Sequence, residues 1–187
     1  MSYTCYVLMR ARRARFKGTR YAMETCFSCG GSYPIESGVT HPYMLSTESC
    51  WSAYGRLLER EYSDQKYWNN HRLTVDAYAV QHPGEECAQS IQSIAVHLIS
   101  LYLVLEKELA QDKVTKILSS LTEKTFFWLS PPPSFGTINV GSVLKAKDST
   151  EHNEMVRKWA LSSWSSWACH HQTVRVWAKS ALTEQYQ

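Results

Sequence analysis

Apolar residues recur three and four positions apart along most of the chain, which is the spacing of helices that bury one face. The first such stretch follows Thr47, a good N-cap residue, and ends near Tyr62. A second helix is expected to end at about His82, because a Pro-Gly pair follows it. Before the first helix, residues 23–46 are rich in Gly, Ser, Pro and Thr and predict a loop or a short hairpin.

Three further helices are predicted in the rest of the chain, at about residues 91–109, 112–124 and 150–179. The middle one has a charged outer side, whereas the last carries a stripe of tryptophans on its apolar face. A Phe-Phe-Trp-Leu segment followed by Ser-Pro-Pro-Pro predicts a rigid extended crossing between them. These elements indicate an all-α protein, an orthogonal bundle of about five helices.

Five polar side chains stand inside these apolar patterns. His71 and His82 are 11 residues apart, so on an ideal helix they lie about 20° apart and share a face. Asp76 is displaced from His71 by about 140°, and a carboxylate in this apolar segment requires a histidine, an arginine or a metal as its partner. His97 belongs to a stripe of serine and histidine on the third helix, and His170 is embedded in the tryptophan stripe of the last.

The cysteines add a candidate metal site. Six cysteines without a recognisable secretory signal indicate a reduced, cytoplasmic protein rather than a disulfide framework. Cys26 and Cys29 are spaced so that two thiolates chelate one Zn²⁺, and Gly30 permits the tight turn. His41 and Cys50 are the nearest candidates for the other two ligands. The alternative is a redox Cys-x-x-Cys pair, but that motif normally opens a helix, and Gly-Gly-Ser follows here.

The prediction from these ligands is a structural Zn²⁺ bound by Cys26, Cys29, His41 and Cys50. It completes the expected fold, which is an all-α, orthogonal multi-helix bundle with a small N-terminal zinc-knuckle loop region.

The net charge of +3 is unevenly distributed. Residues 1–22 hold six of the 20 Lys and Arg residues and no acid, which leaves 14 basic against 17 acidic residues in the remainder. We therefore expect a basic, disordered arm at 1–22, a single helical domain at 23–180 and a tail at 181–187. Because the remainder is acidic, nucleic acid is not an expected partner except through this arm. No apolar run approaches the roughly 20 residues of a membrane helix, so no membrane partner is predicted.

Several short blocks of residues resemble a known family. They are Cys26-x-x-Cys29-Gly30, His41-Pro42-Tyr43, Cys50-Trp51, Arg60-Glu61-Tyr62, His71 to Tyr78, Gln81 to Gly84, Ser90 to Ser93, Val96-His97-Leu98, Trp128-Leu129 and Trp167-x-x-His170. Through them the chain resembles, from about residue 26 to 177, an uncharacterised and mainly bacterial family, domain-of-unknown-function family 5946. The family has no established activity, so the resemblance implies no reaction.

One hypothesis makes the polar side chains a catalytic site. Histidines and a carboxylate either bind a second metal with an open position for water or act as a general base that the acid orients. The residues predicted for this metal-dependent, hydrolase-like role are His71, Asp76, His82, His97 and His170, with Glu61 in reserve. The chain has no nucleophile elbow, phosphate-binding glycine loop or dinucleotide fingerprint, which disfavours phosphoryl and hydride transfer.

A second hypothesis is non-catalytic. Here the same side chains form a satisfied buried network that specifies how the helices pack, and zinc stabilises a domain that binds an unknown small molecule or protein. A satisfied core histidine explains His97 alone more simply than a metal ligand does. Convergence of His71, His82, His97 and His170 on one cavity would distinguish the two hypotheses.

Overall fold

The computed structural model describes residues 22–121 and 124–184, and most of them lie in helices. The predicted all-α class is confirmed, but the described residues form seven α-helices where about five were expected. The helices are α1 (Glu48–Ser63), α2 (His71–Gln81), α3 (Ala88–Leu105), α4 (Gln111–Ser119), α5 (Val140–Leu144), α6 (Ser149–Ser166) and α7 (His171–Glu184).

A two-stranded antiparallel hairpin occupies the start of the region predicted as a loop or hairpin. Its strands are β1 (Met23–Thr25) and β2 (Ser32–Pro34). In the turn between them the backbone N–H of Gly30 donates to the carbonyl of Cys26 at 2.9 Å. Gly30 has a φ of 68°, a left-handed conformation that glycine adopts without the strain that a Cβ would bring.

Helix α2 lies between α3 and α6 and is buried over most of its length. A helix buried on most sides must satisfy its polar side chains within the protein. Gln81 does so with three partners. Its Nε2 donates to the carbonyls of Phe135 and Ile138 at 2.9 and 2.8 Å, and its Oε1 accepts from the indole of Trp159 at 2.7 Å. One side chain therefore connects α2 to α6 and to the segment before α5.

The prediction of one continuous helix at 150–179 is wrong, because the helix is interrupted at Trp167. A 3₁₀ turn covers Ala168–His170, and α7 begins at His171. The backbone N–H of His170 bonds to the carbonyl of Trp167 at 2.8 Å, and the indole of Trp167 donates to the carbonyl of Val80 at 3.1 Å. A 3₁₀ turn takes about three residues, so the apolar spacing of three and four continues across the break and does not reveal it.

Other helix boundaries differ from the predictions by up to five residues. The side chain of Asp64 caps a 3₁₀ segment, Gln65–Asn70, that precedes α2. Helix α3 ends at Leu105 and α4 at Ser119, each earlier than expected. By length and composition alone α3 is apolar enough to cross a membrane, a property that the core helices of soluble proteins share, and half of it is buried here.

Two predicted parts of the chain lie largely outside the described residues. The basic arm at 1–22 is described only at Ala22, and residues 185–187 of the tail are not described. Residues 181–184 belong to α7, so the last predicted boundary lies inside a helix. The single helical domain at 23–180 stays a prediction.

Candidate metal centre

Four buried side chains converge at the hairpin: Cys26, Cys29, Cys50 and His82. Their sulfur and nitrogen atoms all lie within 4.8 Å of one another. Cys29 Sγ is 3.8 Å from Cys50 Sγ, which is 3.4 Å from His82 Nε2. Tetrahedral zinc, with Zn–S near 2.3 Å and Zn–N near 2.0 Å, sets its sulfurs about 3.8 Å apart and sulfur about 3.5 Å from nitrogen. The four side chains therefore fit zinc in donor type and in spacing.

Local structure positions each of these donors. Two of the thiols lie in the turn of the hairpin, and Cys50 lies in the first turn of α1. Thr47 caps that helix, because its hydroxyl oxygen accepts a hydrogen bond from the backbone N–H of Cys50 at 3.3 Å. The positive end of the helix dipole lies there and favours a thiolate. His82 follows the last residue of α2, and its Nδ1–H donates to the carbonyl of Tyr78 at 2.7 Å. That bond leaves Nε2 to face the sulfurs.

The fourth member of this group is His82, where sequence spacing predicted His41. The Nδ1 of His41 instead accepts from the backbone N–H of Tyr43 at 3.4 Å. Its ring packs against those of Tyr43 and Trp51, with centroids 4.3 and 5.2 Å away. The reason is tertiary: the end of α2 meets the start of α1, a contact that proximity along the chain does not indicate.

The thiols and the imidazole in this buried space compete for protons. Hydrogen bonds with Cys29 and then Cys50 hold the pKa of the Cys26 thiol far below its ordinary value. Hydrogen bonds with Cys26 and Cys29, together with burial, raise the pKa of Cys50. Burial lowers the pKa of His82, but its hydrogen bonds with Cys26 and Cys29 outweigh burial and raise it to about 9. A divalent cation would compensate the charge of several thiolates at once.

Two tyrosines border the sulfurs. The hydroxyl of Tyr33 lies 3.7 Å from Cys29 Sγ, and the hydroxyl of Tyr78 lies 3.7 Å from Cys50 Sγ. Burial, followed by the charge of the neighbouring thiolates, raises the pKa of both phenols. Both hydroxyls therefore stay protonated and can donate to sulfur, as groups outside the ligand set commonly do at metal sites.

Asp76 and His97, two residues of the predicted catalytic set, lie together at a second location. The carboxylate of Asp76 is wholly buried, with Oδ1 2.8 Å from His97 Nδ1. Ser100 donates its hydroxyl to Oδ2 of the same carboxylate at 2.5 Å. Asp76 thus has the partners that its apolar surroundings require, and His97 joins it to α3.

His71 belongs to a third location, around the buried carboxylate of Glu61. Oε2 of Glu61 lies 2.7 Å from His71 Nδ1, and Oε1 accepts from Thr74 Oγ1 at 2.6 Å and lies 3.1 Å from His152 Nε2. Burial raises the pKa of Glu61, but hydrogen bonds with His152, His71 and Thr74 outweigh it and lower that pKa. The network joins α1, α2 and α6.

His170 lies apart from these three groups. Its Nε2 donates to the carbonyl of Ser130 at 2.8 Å, at the surface. The break at Trp167 removes it from the continuous helix on which it shared the tryptophan stripe. The five residues predicted as catalytic therefore occupy four places, and a catalytic role for any of them stays a prediction.

The sequence did not predict that His152 contacts Glu61 or that His82 belongs to the metal group. His152 is buried on α6, seven residues before Trp159, so on an ideal helix it lies about 20° from the tryptophan stripe, and this periodicity was the signal available for it. His82 was recognised as a polar residue of interest but was assigned to the catalytic set. The Pro-Gly pair after it was the available signal, because it ends the helix and releases His82 from the helical face.

Comparison with known proteins identifies a family without revealing an activity. No curated protein matches the chain, and no solved structure does. A family model, described as a family of unknown function (DUF5946), matches residues 24–168, which include all four residues of the metal group and both carboxylate networks. The chain therefore belongs to the family of unknown function DUF5946.

Proposed function

We propose that this protein is a zinc protein in which one structural ion holds the hairpin, α1 and α2 together. The observation that carries the proposal is the group of three thiols and one imidazole at tetrahedral spacing. Thiolates are soft ligands that select zinc over magnesium, calcium and manganese, and three of them with one imidazole form a common structural zinc site.

The burial of this group supports a structural ion rather than a hydrolytic one. Cys50 and His82 are fully buried, and Cys26 and Cys29 are exposed by 1% and 4%. Catalytic zinc usually has three protein ligands and keeps a fourth position open for water. Four protein donors in a closed space leave no such position.

The metal-dependent hydrolase hypothesis has less support than the non-catalytic one. Within the ranges 22–121 and 124–184, no second group of three or more His, Cys, Asp or Glu side chains has metal-ligand spacing. A second metal among the predicted catalytic residues is therefore disfavoured. We propose instead a zinc-stabilised domain that binds a small molecule or a protein. Because zinc thiolates need reduced cysteines, we also propose that it resides in the cytoplasm.

Metal analysis of the purified full chain tests the proposal. We expect one zinc per chain, measured by inductively coupled plasma mass spectrometry. His82→Ala is expected to lose most of the zinc because it removes one of four donors. His82→Cys is expected to retain it, since four thiolates also form a tetrahedral zinc site.

His41→Ala is the matched control, because it changes the histidine that is nearer in sequence but lies outside the group. It is expected to keep one zinc per chain. Loss of zinc from His41→Ala with full retention in His82→Ala would overturn the assignment. So would wild-type protein that contains no zinc after purification without a chelator.

A further inference from the structure

A cleft of about 510 Å³ runs along the first half of α3 and contains none of the four metal-group residues. Its lining includes Tyr43, Gln89, Gln92, Ser93, His97 and Leu118. No Asp, Glu, Lys or Arg is among the described residues that line it. The cleft therefore offers hydroxyl, amide and imidazole groups beside apolar surface, without a formal countercharge.

The ring of His97 is held in one orientation at this cleft. Its Nδ1 faces the buried carboxylate of Asp76 at 2.8 Å, and the side chain keeps 19% of its surface exposed. A carboxylate accepts hydrogen bonds, so in the neutral imidazole the ring proton lies on Nδ1 and the lone pair lies on Nε2. In the part of the chain that the structure describes, no protein group is hydrogen-bonded to that Nε2.

Asp76 orients the ring and does not itself reach the cleft. Its carboxylate is wholly buried on α2, and its second oxygen is occupied by the hydroxyl of Ser100 at 2.5 Å. Asp76 is therefore a positioning residue, and His97 is the residue that would touch a ligand. The pair therefore presents Nε2 of His97 as a hydrogen-bond acceptor of fixed orientation in a cleft whose described lining has no Asp, Glu, Lys or Arg.

We propose that this cleft binds an uncharged small molecule whose hydroxyl or N–H group donates a hydrogen bond to Nε2 of His97. An anion would meet no Lys or Arg among the described lining residues and a cation no carboxylate, so either would lose hydration without compensation. Val96 and Leu118 provide apolar surface for the carbon skeleton of the ligand. The proposal is independent of the zinc centre.

Four probes of similar size separate the elements of this proposal: phenol, anisole, benzoate and benzylamine. Backbone amide shifts of the full chain, followed by two-dimensional NMR at neutral pH, give the site and affinity of each probe. Phenol is expected to shift the amides of residues 88–97. Anisole lacks the donor and is expected to bind roughly fivefold more weakly, the ordinary effect of one hydrogen bond. Both charged probes are expected to bind more weakly than phenol.

Two variants test the role of Nε2. His97→Asn keeps an N–H near the position of Nδ1 for Asp76 but removes Nε2, so the advantage of phenol over anisole is expected to disappear. Asp76→Asn is expected to move the ring proton to Nε2, which weakens phenol and is visible in the ¹⁵N spectrum of the imidazole. Thermal unfolding of each variant and the dispersion of its amide spectrum show whether the fold is retained.

The wild-type measurements decide the matter even if a variant fails to fold. The proposal is overturned if phenol shifts no amide of residues 88–97, or if benzoate or benzylamine binds there more tightly than phenol. An unchanged ratio of phenol to anisole affinity in a folded His97→Asn variant would also overturn it. A variant that loses phenol selectivity but keeps its zinc supports the cleft without bearing on the metal centre.

Discussion

Glu61 is a buried acid whose two oxygens face three donors. Buried carboxylates are stable as anions only when hydrogen bonds or charges replace their hydration. Here His71, Thr74 and His152 provide that replacement at 2.7, 2.6 and 3.1 Å. Their hydrogen bonds outweigh burial and lower the pKa of Glu61, so the folded state favours the ionised acid.

This network predicts how stability depends on pH. The pKa of Glu61 is lower in the folded state than in the unfolded state. Its contribution to the free energy of unfolding is therefore fully present above about pH 4.5 and is lost as the pH falls through the folded-state pKa. Glu61→Gln is expected to remove this part of the pH dependence. It should also lower the free energy of unfolding at neutral pH by about 1–3 kcal/mol, because a charged acceptor is lost. Urea denaturation in a pH series measures both effects.

Glu59→Gln is the matched control, since it changes an exposed acid on the same helix. Its free energy of unfolding is expected to change by no more than about 0.5 kcal/mol. If Glu61→Gln has the same stability and pH dependence as Glu59→Gln, the network does not stabilise the ionised acid.

At the scale of elements, Gln81 is the side chain that joins α2 to its neighbours. Gln81→Leu would leave two backbone carbonyls and the indole N–H of Trp159 without this partner inside the protein. The buried indole N–H costs about 1–3 kcal/mol when unsatisfied, and the two carbonyls cost less because they lie on partly exposed residues. We therefore expect a loss of about 2–4 kcal/mol in the free energy of unfolding, measured in urea. Gln172→Leu, at an exposed position of α7, is expected to have little effect. Equal stabilities of the two variants would contradict this prediction.

Element ends explain why the sequence predicts the helices better than the site. Periodic burial is local, so the central parts of α1, α3 and α6 follow from it. The predicted shared face of His71 and His82 requires both residues to be helical. His82, however, lies beyond the last residue of α2 with φ −126° and ψ 55°, so its direction follows the cap and not the helix. The thiol spacing predicted three members of the metal group, while the fourth depends on how α2 meets α1.

In the molecule as a whole, three polar connections converge on α2 from different sides. His82 at its end faces the hairpin and α1, Glu61 reaches its first turn, and Asp76 at its middle faces α3. The apolar core that surrounds them is one cluster. Hydrophobic burial is non-directional, so these connections add a preferred orientation for the central helix within that core.

Removal of the metal tests how far the zinc centre stabilises the whole molecule. The strands of the hairpin have three residues each, and an isolated two-stranded hairpin is marginally stable in water. Helices α3 and α6 supply no metal ligand and are held by the apolar core. A zinc chelator is therefore expected to increase hydrogen exchange at residues 23–34 and 82–84 first, while α3 and α6 remain protected.

Restored protection on adding zinc back is the control. Unchanged exchange at residues 23–34 would contradict a bound ion, and simultaneous loss of protection in α3 and α6 would mean that the ion stabilises the entire bundle.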